Sequence, residues 1–211
     1  MHIAEGFLPA AHCIAWYGIS TPFAIQGFRR TGQALKGDSN QRMMLAASGA
    51  FLFTLTALKL PSVAGSSSHP TGVSLATLIY GPPVTTALAV IVLLFQALLL
   101  AHGGITTLGA NLFSLGIVGP WAFLAAIRLF GRHQRSDWAI GIATIVASLA
   151  TYSTTSLQLA LAFPDAHGGV LASFLRFGAV FAVTQGPVAV AEALFTVLVV
   201  RALGDFVYAY R

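Results

Sequence analysis

Charge is scarce in this chain. Asp, Glu, Lys and Arg make up 8% of its 211 residues, against about a quarter in soluble domains, and so thin a polar coat excludes a water-soluble globule. Acid is scarcer than base, six carboxylates against eleven Lys and Arg for a formal charge of +5. The basic residues fall in short loops beside apolar runs, so the surplus reads as membrane topology and not as a nucleic-acid patch. A single cysteine, Cys13, excludes an internal disulfide and, lying early in an apolar run, reads as packing. The G-x-x-x-x-G-K-[ST] phosphate loop, the H-E-x-x-H helix and the G-x-S-x-G elbow are all missing. The chain is therefore expected not to be an enzyme, and active transport would draw on a partner ATPase or an ion gradient. No basic stretch precedes the first apolar run, and the first basic residue is Arg29; a cleaved leader is not expected.

What is present is apolar sequence, 56% of the chain, in runs near the 20 or so residues that cross a hydrocarbon core. The runs are Phe7 to Phe28, Met43 to Leu58, Val84 to Ala101, Ile105 to Ile127, Trp138 to Phe163 and Phe177 to Val200. A shorter one, Val73 to Gly81, is stopped by Pro82 and Pro83. Arg29, Arg30, Lys36 and Arg42 share one loop, Arg128, Arg132 and Arg135 another, and Arg201 and Arg211 flank the carboxyl end. These places share the inner side only if the Thr71 to Gly81 segment crosses or reverses the chain. The expectation is an all-α, polytopic helix bundle, one domain over 1–211, of about seven transmembrane segments with the amino end outside and the carboxyl end inside. Lys59 and Arg176 break the charge rule singly. His2, His69, His102 and His167 then all face outward.

Met1-His2 is the strongest chemical feature. A terminal amine, the amide nitrogen of His2 and its Nδ1 close a five- and a six-membered ring on one cation, which suits square-planar or tetragonal Ni²⁺, Cu²⁺ or low-spin Co²⁺. His2 is too large a second residue for ordinary methionine removal, so Met1 is expected to stay. Ile3 and Gly6-Phe7-Leu8 tuck this terminus into the membrane domain. His69, in a Ser66-Ser67-Ser68 and Pro70-Thr71-Gly72 loop, supplies the fourth nitrogen, with hydroxyls such as that of Ser68 orienting the imidazole.

Other residues leave alternatives open. His102-Gly103-Gly104 and His167-Gly168-Gly169 read first as turns, and as ligands on an access route or gate second. His12 reads as a core histidine and His133 as a solvated one. Glu5 either tunes the chelate or starts a helix. Glu192, the one carboxylate deep in a span, is a proton relay, a neutral group hydrogen-bonded near Gln185, or a grip on a partner. Ala46 and Ala50 form a small-xxx-small pair for close helix approach.

Three stretches of this sequence resemble the CbiM family, the substrate-capture component of energy-coupling factor cobalt transporters. They are Met1-His2-Ile3-Ala4-Glu5-Gly6-Phe7-Leu8-Pro9, Ser66-Ser67-Ser68-His69-Pro70-Thr71-Gly72, and His102-Gly103-Gly104-Ile105-Thr106-Thr107-Leu108-Gly109-Ala110-Asn111. The related nickel-capture family shares the Met-His start but continues in a Pro-Asp-Gly-Tyr manner, whereas Glu5-Gly6-Phe7 stands here. Ser67 departs from the family pattern, in which many members carry Cys. The resemblance implies Co²⁺ bound by the amine of Met1, the amide and imidazole of His2 and the imidazole of His69, with Ni²⁺ as the alternative. It further implies a multi-pass protein of the bacterial inner membrane that serves cobalamin synthesis beside ATPase subunits, a scaffold transmembrane subunit and a small accessory membrane subunit. A proton-coupled carrier or membrane enzyme built on Glu192 is the reading from another class.

Overall fold

The computed structural model describes residues 2–61, 66–130 and 136–208. Met1, Arg132, His133, Arg135 and Arg211 lie outside them, and with them the expected terminal amine, the solvated His133 and part of the inner basic clusters. Seven helices carry the described residues: α1 (Ala10–Ala34), α2 (Ser39–Ala57), α3 (Val73–Tyr80), α4 (Pro82–Leu99), α5 (Leu108–Phe130), α6 (Asp137–Ala162) and α7 (Gly169–Leu203). They match the seven expected segments one for one.

Local chemistry moves the boundaries. Pro9 cannot donate a backbone hydrogen bond and precedes the first turn of α1, so that helix begins after it and not at Phe7. Asp38 accepts from the amide of Gln41 at 2.8 Å, and this cap starts α2 ahead of its apolar run. Pro82 opens α4 at a position where a missing N–H costs nothing. The largest difference is α7, which begins eight residues before Phe177 and continues through Arg176. That arginine reaches Asp165 at 3.0 Å. The two charges pair near the amino end of α7. With 35 residues, α7 runs about 52 Å, longer than a hydrocarbon core about 30 Å thick.

By length and composition α4, α5, α6 and α7 can each cross a membrane; α1 and α2 are long enough but carry more polar residues. Apolar side chains cover the outside, with Ile14, Leu129 and Val183 more than 70% exposed, as a surface in contact with lipid requires. The inside is partly polar. Thr144, Thr151 and Thr155 along the buried face of α6 return their hydroxyls to Ile140, Ala147 and Thr151 carbonyls at 2.9 to 3.1 Å, so small polar groups pack between helices without unpaired donors. Close helix approach is made by glycines: a Cβ on Gly27 would stand 2.6 Å from the Pro83 carbonyl, and one on Gly109 would stand 2.6 Å from the Tyr17 amide. Ala46 and Ala50 instead face outward, lining an apolar groove of about 520 Å³ between α2 and α4.

Three short strands close one end of the bundle. β1 (His2–Ile3), β2 (Leu60–Pro61) and β3 (Ser66–Ser68) form an antiparallel sheet in the order β1-β3-β2, with His2 opposite Ser67 and Ile3 opposite Ser66. Beneath it Ile3, fully buried, packs in a small core with Leu8, Ala110, Leu159 and Phe181. Burying an isoleucine is worth about 1.5–3 kcal/mol, so the amino end is anchored in the bundle. Opposite His2 lies the chain that leads to His69.

Candidate metal centre

Three loops converge under that sheet. The first is β1, whose position is set by the amino end of α5: the side-chain amide of Asn111 accepts from the Ile3 amide at 2.7 Å and donates to its carbonyl at 3.0 Å. Thr107 Oγ1 donates to the same carbonyl at 2.7 Å. Farther along, the Gly6 amide donates to Thr106 Oγ1 at 3.1 Å, and the Glu5 carboxylate accepts from the Thr106 amide at 3.1 and 3.3 Å. These bonds to Thr106 hold the Glu5 carboxyl below its ordinary value. Asn111 begins a seven-residue π-helical stretch, Leu112–Val118, whose wider turn presents side chains at angles a regular helix does not.

The second loop carries His69. Its Nδ1 lies 2.7 Å from the Pro70 carbonyl; a carbonyl only accepts, so Nδ1 holds the proton and Nε2 keeps its lone pair. The backbone on both sides is fixed from α6 and α7. Gln185 donates to the His69 carbonyl at 3.1 Å and to Ser148 Oγ at 2.9 Å. Glu192, buried, accepts from the Thr71 amide and hydroxyl at 2.8 and 2.6 Å and from the Gly72 amide at 2.8 Å. Gly72 has φ +68°, and a Cβ there would stand 3.0 Å from Leu52 Cα, so the turn into α3 takes only glycine.

The third loop follows α4. His102 does sit in a turn, preceded by Ala101 at φ +46° and followed by Gly103 at φ +78°, but its ring points inward. Its Nε2 lies 2.7 Å from Ser67 Oγ. A Cβ on Gly103 would stand 3.4 Å from that of His2, and one on Gly104 would stand 2.5 Å from Glu5 Cα. The glycine pair is thus the floor on which the amino-terminal strand lies. Alanine at position 104 is expected to push that strand away and weaken metal binding about tenfold, which calorimetric titration of the variant with Co²⁺ checks.

The three imidazoles meet. One ligand atom from each of His2, His69 and His102 lies within 4.8 Å of the others, with ring centres 4.4, 4.4 and 5.2 Å apart. Both ring nitrogens of His2, Nε2 of His69 and Nδ1 of His102 are buried without a hydrogen-bond partner among the described residues. A buried polar atom left unpaired costs on the order of 1–3 kcal/mol, so four in one place require a ligand. Burial drives the titration of His2 and His69 well below that of an ordinary histidine, and that of His102 to about 4. All three are neutral near pH 7, and a neutral imidazole binds a cation.

The residues singled out in the sequence divide accordingly. His2 and His69 come together, and His102, read first as a turn, joins them. His167 does not: it is exposed in a turn where Asp165 accepts from the His167 and Gly168 amides at 3.0 Å. Ser68 bonds Thr184 at 2.8 Å and touches no histidine ring by hydrogen bond; Ser67 is the hydroxyl that does. Glu5 is turned to Thr106. His12 is half-buried on α1. Asn111 and Thr107, which seat β1, were legible only as part of the motif after His102.

The family model described as CbiM, cobalt uptake substrate-specific transmembrane region, matches residues 2–207. A cobalt transport protein CbiM of Desulforamulus reducens is 50% identical over 206 residues, covering 98% of this chain and 82% of its own. Its counterpart in Streptomyces coelicolor is 53% identical over 204 residues, covering 96% and 88%. Among solved structures, a crystal structure of a truncated transition metal transporter superposes with a TM-score of 0.76 at 27% identity, covering 96% of this chain and 98% of that one.

Proposed function

Because the chain belongs to the CbiM family of cobalt uptake membrane proteins, we propose that it is the Co²⁺-binding component of an ATP-driven energy-coupling factor importer that feeds cobalamin synthesis. The convergence of three buried imidazoles, each with at least one ring nitrogen lacking a partner among the described residues, carries this reading. Four nitrogens take the ion: the amine of Met1, the amide and imidazole nitrogens of His2, and Nε2 of His69. The donor set holds no thiolate and no carboxylate, which suits a first-row cation of tetragonal preference and disfavours Mg²⁺ or Ca²⁺. ATP hydrolysis falls to partner ATPase subunits, joined to this chain through a scaffold and a small accessory membrane subunit.

The amino end faces outward in this reading, so the strand-capped end of the bundle collects the ion. With His2, His69 and His102 at most 3% exposed, capture and release require the β1 strand to lift. Ile3 and the Asn111 clamp then set how firmly the cap closes. Glu192 serves as an anchor for the loop behind His69.

Metal analysis of protein purified from cells supplied with equal Co²⁺ and Ni²⁺ tests the cargo. The expected result is about one cobalt per chain, the stoichiometry of a single site, with little nickel, in line with the cobalt transport relatives. Predominant nickel would move the cargo to Ni²⁺, which the same nitrogens can hold and which the Irving–Williams order favours. Neither metal would overturn the reading.

A further inference from the structure

We propose that His102 is a fifth, axial ligand to the captured ion and the residue that turns a nickel-capable chelate toward Co²⁺; this rests on the four-nitrogen reading above. The first observation is orientation. The rings of His2 and His69 lie within 32° of a common plane direction, whereas the ring of His102 stands at 75° to one and 87° to the other. The chelate formed by the amine, amide and imidazole of the first two residues forces the His2 ring close to the coordination plane, and His69 takes the fourth corner. No in-plane position is left for a third imidazole, so one held within 4.8 Å of the others meets the ion from above or below.

The second observation is that His102 is built as a ligand. Its Nδ1 is buried and has no hydrogen-bond partner among the described residues. Its Nε2 lies 2.7 Å from Ser67 Oγ, a hydroxyl able to accept from it, and the tautomer with the proton on Nε2 leaves the lone pair of Nδ1 to the ion, the arrangement that orients metal-binding histidines generally. Ser67 in turn stands directly opposite His2 in the β1–β3 pairing. Docking of the terminal strand therefore aligns the chelate and the axial imidazole in one step, and Gly103, at φ +78° and where a Cβ would crowd Asn111 Nδ2 at 3.1 Å and His2 Cβ at 3.4 Å, lets the third loop come this close.

Electron count supplies the selectivity. A planar field of four nitrogens that includes an ionised amide makes Ni²⁺ a low-spin d⁸ ion, whose filled out-of-plane orbital repels a fifth ligand. Low-spin Co²⁺ has one electron fewer, with that orbital half-filled, and gains by binding one axial nitrogen. Geometry is how proteins overcome the Irving–Williams order, and here an axial imidazole stabilises the metal that ranks lower.

Frozen-solution EPR of the intact protein loaded anaerobically with Co²⁺ tests this without a substitution. The expected spectrum is low-spin, with the cobalt lines on the axial direction split into three by one nitrogen, and into two after uniform ¹⁵N labelling. Both His102→Ala and His102→Gln should remove that splitting while retaining the ion. Competitive dialysis should show the Co²⁺ to Ni²⁺ affinity ratio falling about tenfold in both. A low-spin signal without axial splitting, a high-spin signal, or splitting that persists in either variant overturns the axial role. Failure of the unsubstituted protein to bind Co²⁺ at all would instead overturn the four-nitrogen reading.

Discussion

Alanine in place of Glu192 is expected to cost the fold about 3–5 kcal/mol. The carboxylate sits in α7, 2% exposed, and takes three hydrogen bonds from two consecutive residues, Thr71 and Gly72. Removing it leaves two amides and a hydroxyl buried with nothing to accept from them, each unpaired group costing about 1–3 kcal/mol. The carboxylate oxygens stand at the amino end of α3, whose first amides have no partner within the helix. Because Thr71 follows His69 by two residues, the damage reaches the metal loop, so thermal unfolding in detergent and Co²⁺ titration should fall together. Glutamine separates anchor from proton relay. Its carbonyl can still accept from Thr71 or Gly72, so an anchor is half-rescued, with stability and uptake between those of wild type and the alanine variant. A relay would lose uptake fully in Glu192→Gln while the melting temperature stayed high.

That role shows where sequence reasoning stops. The helices were legible because their signal is local: apolar runs of membrane length, punctuated by Pro82-Pro83 and by the arginine clusters, give seven segments, and the seven helices α1 to α7 stand among the described residues. Boundaries failed where a polar contact outweighed hydropathy. Arg176 stands just before the apolar run that begins at Phe177, yet with its bond to Asp165 α7 starts at Gly169. The His2 and His69 pairing was readable from their motifs, but Glu192 was left between relay, neutral group and partner grip because its partners lie 120 and 121 positions away. The inward turn of His102 was equally hidden. A His-Gly-Gly string specifies a turn in either case; at 102 the glycines carry the terminal strand and the ring is buried, and at 167 nothing covers the same string and the ring is exposed. Period and composition report what a residue does to its own segment. Which segments cross above it is set by β1 and the Asn111 clamp, and those are tertiary.

Adding one residue before Met1 should lower Co²⁺ affinity by about 10²–10³-fold. The reason lies in how tightly the strand is seated. Ile3 is bonded on both backbone groups to Asn111 and is fully buried, and His2 is paired opposite Ser67 at 1% exposure, so the strand has no freedom to slide along the sheet by a residue without exposing Ile3 and inverting which side chain faces His69. An added residue therefore leaves His2 and His69 in place and turns the nitrogen of Met1 from an amine into an amide that must lose its proton to bind; the new amine, about 3.8 Å farther along the chain, can close a five-membered ring only through that amide and only at the corner His69 holds. Four-ligand nitrogen and sulfur sites bind divalent ions with about 10–16 kcal/mol; one ligand in four is then worth about 3–4 kcal/mol, which is the stated loss. Isothermal titration of the extended protein reads it, with the melting temperature of the metal-free form as the control, expected to stay within a few degrees. The same residue added at the carboxyl end should leave binding unchanged. Full affinity in the amino-terminally extended chain would show that the amine of Met1 is not required as a ligand.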